Sequence, residues 1–524
     1  MFEENKLILY SRKNSWVLGL LLFLFTIGLV YLPIHTHSLT TDEVGDISVG
    51  YAQARYGLYF LDPANPPLIR MIYGTVVALC EPLSYKGPEV ELMDFFYYSR
   101  IFFNFNKSSL ITLTVISRYV VVGLMLLTGF ILFRWVKQLY GITPAYISFF
   151  YFILSPNVLA HGTLATLDMG LTFTWLFYGY ILHRWIGEPD KKVNTILLGL
   201  SLGFCLTAKF TSLILIPLTC LVLLCDRSWI KQFNVKSALL HSSIFLLSVW
   251  MTILAVYRFH NIQYGLPYWF ITGIKLQIND AGTYFTYLNG KISQSAPWYY
   301  YLEAILLKNP IPFLIVMVWG IFSASKQKLK MSRDVLISLV FIGGLLIVFS
   351  LSGKKMLGIR YLLPMYPFIA LLIGRLFHTQ QHWKYRTHIH LLMLIGCLIS
   401  TLSINPHYLS YFNIIAGGPS KGHRYLLDSN LDWSQDTLRL KEYMYVNNLD
   451  SIYFVYSGYL MPEVYGIQTY PLYDDTVKGI VAISVNRLYG IQAASPEYIH
   501  QYEWLKNKKY LGRVGYSIWL YDTR

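Results

Sequence analysis

Trp16–Leu32 reads WVLGLLLFLFTIGLVYL, and the polar stretch after it contains Thr41-Asp42-Glu43. An apolar run of this length without a charge is typical of a membrane-spanning helix, whereas a secretory signal has a shorter apolar region that ends at small residues. Because basic residues precede the run, we expect an uncleaved first span with a cytoplasmic N-terminus. The two carboxylates are then expected directly at the outer membrane interface.

The composition extends this reading to the whole chain. Of its 524 residues 55% are hydrophobic and 14% are charged, whereas a water-soluble domain carries about 25% charged residues. The formal charge of +15 comes from side chains spread over short loops between apolar runs, which favours the positive-inside pattern over nucleic-acid binding. The five cysteines include no C-x-x-C pair, so they indicate neither a zinc site nor a dithiol. The chain is predicted to be a polytopic membrane protein.

We predict a mainly α-helical fold with about eleven transmembrane helices. After the first span they cover residues 110–133, 144–160, 168–183, 194–208, 211–225, 237–257, 303–323, 334–351, 361–377 and 389–404. Counted from a cytoplasmic start, every predicted inside loop is basic, and an odd number of spans leaves the C-terminus outside. Residues 1–404 are therefore expected to form the membrane domain.

The outer segments are longer and more varied. The first outer loop, residues 35–108, contains two semi-apolar segments, Leu68–Leu79 and Met93–Asn104, that suit helices lying in the interface. The loop at 258–302 is rich in Gly, Asn and Tyr, and the loop at 352–361 is basic although it lies outside. That basic loop breaks the positive-inside pattern and suggests a role in binding anions.

Residues 405–524 are predicted to be a small extracytoplasmic α/β domain. Trp433–Val446 has a helical pattern. Enrichment in β-branched and aromatic residues predicts strands at Ser451–Tyr459, Gly479–Val485 and Val514–Tyr521.

Several ionisable residues fall on the same outer side. The acids are Asp42, Glu43 and Asp168, and the cations are Arg118, Lys209, Lys354, Lys355 and Arg360. Taken singly, Asp42 and Asp168 are consistent with helix N-caps or first-turn acids, and the cations with interfacial residues that extend their charge to water. Their shared side favours the other interpretation, a site in which a carboxylate base faces a bound phosphate.

Other motifs limit the classes of site. Asp428-Ser429-Asn430-Leu431-Asp432-Trp433 begins like an EF-hand loop, but Trp433 and Arg439 occupy the positions where that loop needs Gly and Glu. A looser oxygen-ligand site and ordinary turn chemistry remain open for this segment. The sequence contains no Walker A, G-x-G-x-x-G, G-x-S-x-G or H-E-x-x-H motif. A membrane-borne donor therefore fits better than a soluble nucleotide.

Six motifs in order carry a resemblance to a known family. They are Asp42-Glu43, Asn65-Pro66-Pro67-Leu68, the segment from Ser155-Pro156-Asn157 through His161-Gly162 to Asp168, Ala208-Lys209-Phe210-Thr211, Gly358-Ile359-Arg360-Tyr361, and Asp428 to Trp433. Together they resemble the integral-membrane GT-C glycosyltransferases of the family-39-like branch. That branch includes dolichyl-phosphate-mannose protein mannosyltransferases and the aminoarabinose transferase of lipid A.

The resemblance implies roles for individual residues. It makes Asp42 the catalytic base, with Glu43 and Asp168 beside it, and gives the donor phosphate to Arg118, Lys209 and Arg360. Many relatives have a His or a Glu-Lys-Pro turn where this chain has Asn65, so Lys209, Lys354 or Lys355 would replace that charge. The substrate loops would contribute Asn65, Pro66, Pro67, His161 and Trp298. No metal ligand is expected; a divalent cation is compatible with the scheme but is not required.

The resulting hypothesis is an inverting glycosyltransferase of a bacterial inner membrane that uses a polyprenyl-phosphate sugar on the outer face. Acceptor hydroxyls of proteins, lipid A, a cell-wall polymer or another glycolipid all remain open, with selectivity expected in the 258–302 loop and the tail. A transporter or flippase for a lipid-linked sugar is the rival, although the chain lacks the related halves typical of transporters. A purely structural membrane protein would leave the basic outer loop unexplained.

Overall fold

The protein is mainly helical in this computed structural model, which describes residues 15–83, 94–232, 234–279, 285–325, 331–352, 356–377, 386–472, 475–491 and 496–524. The helices of the first half are α1 (Ser15–Thr36), α2 (Thr41–Tyr56), α3 (Leu68–Ala78), α4 (Phe95–Phe105), α5 (Leu110–Tyr140), α6 (Ile142–Ile153), α7 (Pro156–Gly162), α8 (Leu167–Gly187), α9 (Lys192–Ala208), α10 (Leu215–Cys225) and α11 (Val235–Val256). The second half contains α12 (Tyr268–Asn279), α13 (Tyr300–Lys308), α14 (Ile311–Ser325), α15 (Arg333–Ser352), α16 (Tyr366–Arg375), α17 (Arg386–Ile404), α18 (Thr437–Val446) and α19 (Val485–Leu488).

Apolar length alone identifies fewer spans than the sequence predicts. Among the described residues, α1, α5, α11 and α15 each contain a window long and apolar enough to cross a membrane, and the bent pair α6–α7 is a fifth if it counts as one span. Shorter apolar helices include α9, α14 and most of α17. Several apolar helices are therefore confirmed, whereas the predicted count of about eleven spans is not.

Several predicted continuous spans are broken, and each break lies at or near a proline. The 144–160 segment bends by 68° between α6 and α7, where α7 begins at Pro156. The 303–323 segment divides into α13 and α14 around Asn309-Pro310. The 361–377 segment opens as a 3-10 turn, Ile359–Met365, that contains Pro364. Proline lacks an amide donor and clashes with the preceding turn, so it ends or bends a helix.

The described residues of the first outer loop contain three α-helices, α2, α3 and α4. Helices were predicted near α3 and α4 and are present there, whereas α2 was not predicted as a helix. Helices α2 and α3 approach closely at two glycines: a Cβ on Gly74 would lie 2.2 Å from the carbonyl oxygen of Gly50. No larger residue fits at Gly74 without separating the two helices, so this contact fixes the position of α3 relative to the acids of α2.

Two short hairpins lie before the tail: β1 (Ile262–Gln263) with β2 (Leu266–Pro267), and β3 (Thr286–Leu288) with β4 (Lys291–Ser293). The described residues of the tail contain five strands, β5 (Ile452–Val455), β6 (Thr469–Tyr470), β7 (Ile480–Ser484), β8 (Lys509–Val514) and β9 (Ile518–Asp522). They form one sheet in the order β6-β5-β7-β9-β8. Strand β5 pairs in parallel with β6 and β7, and β9 pairs antiparallel with β7 and β8. The α/β character and three of the strands match the prediction, whereas β6 and β8 were not predicted.

The tail contacts the start of the first outer loop through backbone hydrogen bonds. The amide of Ser38 donates to the carbonyl of Gln435 at 3.0 Å, and the amide of Thr41 donates to the carbonyl of Trp433 at 3.1 Å. Because residues 428–436 make these and other turn contacts, α18 begins at Thr437 and not at the predicted Trp433. The residue next to Asp42 is therefore fixed by a segment almost 400 positions later in the chain.

Candidate active site

A cavity of about 630 Å³ lies beside the N-terminus of α2. This volume falls in the range of small-molecule sites, roughly 300–1,000 Å³. Its charged lining comprises Asp42, Asp46, Asp62, Asp168, Arg70, Lys209 and Arg360. The apolar part of the wall includes Phe95, Phe96, Phe210, Ile278, Phe349 and Leu357. A compact charged end thus adjoins an aromatic and aliphatic surface.

Asp42 is more accessible than Glu43, the neighbouring acid at the start of α2. Its side chain is 38% exposed, and its Oδ2 accepts a hydrogen bond from Nη1 of Arg360 at 2.6 Å. The helix begins here because Thr40 has an extended backbone and Glu43, three residues later, accepts the Thr40 amide at 2.9 Å. The helix start leaves Asp42 directed into the cavity.

Residues of the tail contact Arg360 and the residue before it, and so hold Arg360 in position. Its guanidinium lies over the ring of Trp433, 4.3 Å from the centroid, in a cation–π contact. The amide of the preceding residue, Ile359, donates to Oδ1 of Asn430 at 3.0 Å. Nε of Arg360 is buried and has no hydrogen-bond partner among the residues that the structure describes. Arg360 therefore retains a buried donor beside the cavity.

Asp168 joins the same network from the first turn of α8. Its Oδ1 accepts from Nζ of Lys209 at 2.9 Å, and its Oδ2 is 3.7 Å from Nη1 of Arg360. Lys209 also lies over the ring of Tyr361, 4.7 Å from the centroid. Two carboxylates and two cations predicted from sequence are thus brought together. Lys354 and Lys355 lie outside the described residues.

Glu43 and Arg118 bind each other and do not line the cavity. Both side chains are fully buried, with Nη2 of Arg118 2.7 Å from Oε2 of Glu43. Arg118 also donates to the carbonyls of Ile34, His37 and Ser38. Because the guanidinium is saturated by protein acceptors, the geometry does not support the predicted catalytic role of Glu43 or the predicted phosphate contact of Arg118.

Of the residues predicted for the substrate loops, only Asn65 belongs to the described lining of the cavity. Asn65 lines the cavity and donates to Oδ2 of Asp62 at 3.0 Å. Pro66 and Pro67 are buried and lead directly into α3. Neither residue lines the cavity. His161 is buried with its ring edge toward Trp433. Trp298 is 62% exposed and lies away from the cavity lining.

The sequence interpretation missed a second charged group, formed by Asp46, Asp62 and Arg70. Nε of Arg70 donates to Oδ1 of Asp46 at 2.7 Å, and its Nη2 donates to Oδ2 of Asp62 at 2.6 Å. Two signals were available. Asp46 is four residues after Asp42 and therefore on the same helix face, and Arg70 is the one charge in the apolar helix α3. The first signal becomes specific only when α2 is known to be helical.

We expect Asp46 to make stability depend on pH. Burial and the neighbouring carboxylates raise the pKa of Asp46 to about 7, although Arg70 opposes the shift. Between pH ~4 and pH ~7 the folded protein then holds a proton that the unfolded chain releases, so Asp46 lowers stability increasingly as the pH rises through this window. Asp46→Asn lacks this proton uptake. The melting temperature of Asp46→Asn relative to that of the wild type should therefore rise between pH 5 and pH 8.

Thermal melting of the purified protein between pH 5 and pH 8 measures this effect. Asp450→Asn removes an exposed carboxylate of the tail and serves as the control, with no pH-dependent difference expected. Equal pH dependence in Asp46→Asn and wild type would contradict the assignment.

The Asp428–Asp432 segment uses its polar groups within the protein. Oδ2 of Asp432 accepts the amide of Asn486 at 3.3 Å and the hydroxyl of Ser484. Nδ2 of Asn430 donates to the hydroxyl of Tyr300 at 3.1 Å. Of the two interpretations left open, turn and packing chemistry accounts for these contacts, and the segment supports Arg360 through Ile359 and Trp433.

The chain is similar to known membrane glycosyltransferases. The family described as Dolichyl-phosphate-mannose-protein mannosyltransferase matches residues 112–255. The structure is similar to ArnT from Cupriavidus metallidurans in the apo state, with a TM-score of 0.51 and 12% identity over 98% of this chain and 99% of that chain. None of the curated protein sequences compared matches the chain significantly.

Two further similarities are weaker. ArnT from Cupriavidus metallidurans bound to undecaprenyl phosphate aligns with a TM-score of 0.49 and 11% identity over 98% of each chain. The Saccharomyces cerevisiae protein O-mannosyltransferase Pmt1-Pmt2 complex bound to the sugar donor aligns with a TM-score of 0.34 and 19% identity over 51% of this chain and 35% of that chain. The apo ArnT match establishes a GT-C type fold, so the predicted resemblance is confirmed and the chain is a multi-pass membrane protein.

Proposed function

We propose that the protein transfers a sugar from a polyprenyl-phosphate donor to an acceptor hydroxyl on the outer face of a bacterial inner membrane. The observation that carries the proposal is the shared contact of Arg360 with Asp42 at 2.6 Å and Asp168 at 3.7 Å inside one cavity. A family match named for a dolichyl-phosphate-mannose donor supports the donor class. Both a hexose donor and a pentose donor are compatible with this chemistry.

In the proposed reaction Asp42 removes the proton from the acceptor hydroxyl. The acceptor oxygen forms a bond to the anomeric carbon as the bond from that carbon to the phosphate oxygen breaks. The displacement comes from the face opposite the phosphate and inverts the anomeric centre through an oxocarbenium-like state. The lipid leaves as a phosphate monoester, and the proton ends on Asp42 before release to solvent.

Lys209 and Arg360 are proposed to bind the donor phosphate. Both line the cavity, and charge on the phosphate oxygens increases as the sugar leaves, so fixed cations stabilise the transition state. Without donor, these cations are neutralised by Asp168 and Asp42. An incoming phosphate competes with Asp42 for the guanidinium of Arg360 and leaves the carboxylate free to accept a proton. Donor binding thereby prepares the base.

The apolar wall of the cavity is proposed to hold the first isoprene units. Phe95 and Phe96 come from α4, whereas Phe349 comes from the apolar helix α15. Gln277 and Ile278 enter the same lining from α12, within the loop where acceptor selection was predicted. Gln277 also donates to the carbonyl of Ala64 at 2.8 Å, which joins that loop to the turn beside Asn65.

The alternative function is a transporter or flippase for a lipid-linked sugar. Such a protein would need the cations and the apolar wall but would not need a base. The half-exposed Asp42 at the cavity, beside a saturated Glu43–Arg118 pair, favours the transferase because one acid remains accessible and the other does not.

The experiment uses the purified chain in liposomes that contain a radiolabelled polyprenyl-phosphate hexose or pentose and an extract of native acceptors. A transferase consumes donor, releases polyprenyl phosphate in equal amount and labels the acceptor. Protein-free liposomes are the control. Donor that crosses the bilayer intact, without consumption, would overturn the proposal in favour of the transporter.

A further inference from the structure

A separate cluster of ionisable side chains, His37, His407 and Asp436, lies outside the cavity lining. It is found where the tail meets the ends of two apolar helices. His37 follows α1, His407 follows α17, and Asp436 immediately precedes α18. One ring nitrogen of each histidine and one carboxylate oxygen of Asp436 all lie within 4.8 Å of one another. Three segments distant in sequence thus converge on one point.

Three polar atoms of this cluster have no hydrogen-bond partner in the part of the chain that the structure describes. Nε2 of His37, Nδ1 of His407 and Oδ1 of Asp436 are buried, and none has a hydrogen-bond partner within the described ranges. His37 is 6% exposed and Asp436 is fully buried. The distance between Nδ1 of His407 and Oδ1 of Asp436 is 3.7 Å, which is too long for a hydrogen bond. Three such atoms at about 1–3 kcal/mol each are costly unless they share a ligand.

The rest of the protein orients Asp436 toward the histidines. Its other oxygen, Oδ2, accepts the amides of Tyr516 at 3.1 Å and Ser517 at 3.3 Å, and the hydroxyl of Ser517 at 2.8 Å. The ring of Tyr516 packs edge-on against His407, with 5.2 Å between the centroids. Hydrogen bonds that fix a ligand carboxylate in this way are typical of metal sites.

Arg439 is the competing partner for Asp436. Its Nε is 3.4 Å from Oδ1 of Asp436, but neither atom makes a hydrogen bond to any described residue. Its Nη2 donates instead to the hydroxyl of Thr36 at 2.9 Å. The guanidinium therefore leaves Oδ1 available, and its charge weakens the affinity of the site for a cation without occupying it.

We propose that His37, His407 and Asp436 bind one divalent transition-metal ion, with Zn²⁺ the best match. Two imidazole nitrogens and one carboxylate oxygen suit Zn²⁺, with water in the fourth position. The ion joins the end of α1, the end of α17 and the start of α18. It also holds the 37–41 segment, whose amides at Ser38 and Thr41 bond to the tail just before Asp42. The site is structural and is independent of the proposed transfer reaction.

Full-length protein in detergent is stripped with a chelator, dialysed, and titrated with ZnCl₂ or CoCl₂. Metal content by mass spectrometry should reach about one ion per chain, Co²⁺ should give the visible absorption of a tetrahedral site, and Zn²⁺ should raise the melting temperature. His37→Gln and His407→Gln should lose all three signals. His423→Gln is the matched control, because His423 packs against Tyr489 and Trp519 and is not part of the cluster. This variant should keep all three signals.

Wild-type protein that binds neither ion would overturn the proposal, as would His407→Gln protein that binds as the wild type does. Arg439→Gln retains all three ligands and tests the site if the histidine variants fail to fold. Removing the guanidinium should tighten Zn²⁺ binding about tenfold, because a neighbouring positive charge is lost. Unchanged or weaker binding in that variant counts against the proposal.

Discussion

Asp42→Asn is expected to reduce sugar transfer by about 10²–10⁴-fold, the usual contribution of a general base. Asparagine is nearly isosteric and still offers an oxygen to Nη1 of Arg360, which Asp42 contacts at 2.6 Å. The amide cannot accept the acceptor proton, so the loss should fall on turnover rather than on donor binding. Initial rates with labelled donor and equilibrium binding of polyprenyl phosphate separate these two quantities.

Glu188→Gln provides the matched control for Asp42→Asn. Its carboxylate is 52% exposed just after the end of α8 and forms an ion pair with Lys191. It should transfer sugar at the wild-type rate. Undiminished transfer in Asp42→Asn would remove this residue from the chemistry and move the role of base to Asp168.

Arg118→Met is expected to lower the free energy of unfolding by about 3–5 kcal/mol, because it leaves the buried Glu43 carboxylate unpaired. The loss includes the bonds from Arg118 to the carbonyls that end α1 and lead toward Asp42. Heating the protein in detergent, followed by size-exclusion chromatography, should show aggregation at a markedly lower temperature. Arg55→Met removes an exposed arginine of α2 and should leave that temperature unchanged.

The double variant Glu43→Gln with Arg118→Met should recover part of this stability, since no buried charge is then left alone. Recovery will be incomplete because the carbonyls of Ile34, His37 and Ser38 still lose their donor. Arg118→Met protein that melts like the wild type but no longer binds polyprenyl phosphate would restore the phosphate role expected from sequence.

Loop parity along the chain was sufficient to group part of the candidate site. It put Asp42, Asp168, Lys209 and Arg360 on one side of the membrane, and the folded chain brings all of them together. That prediction rests on the principle that spans send alternate loops to opposite faces, so that charges in outer loops share a surface. Parity gives no distances within that surface. It could therefore not show that Trp298 lies outside the cavity lining.

Sequence could not show which charges bind each other. Glu43 and Arg118 satisfy one another in the interior, whereas neighbouring Asp42 reaches the cavity, because the helical turn of α2 directs adjacent residues to different sides. The same helix places Asp46 one turn beyond Asp42. The sequence is consistent with a helix N-cap or first-turn acid at Asp42, but no helix was predicted over residues 41–56, so the group formed by Asp46, Asp62 and Arg70 was not recognised. Proline breaks likewise divided spans that hydropathy reads as continuous.

The support of Arg360 by Trp433 has a consequence for biogenesis. Asp42 emerges early in synthesis, whereas Trp433 follows the apolar helix α17. Arg360 connects the two, because it lies 4.3 Å from the centroid of the indole ring and donates to Asp42. A nascent chain therefore contains Asp42 long before it contains the complete candidate site. The ribosome must finish nearly the whole protein before the cations take their final positions. A truncated chain that ends before Trp433 therefore lacks the indole ring that supports Arg360.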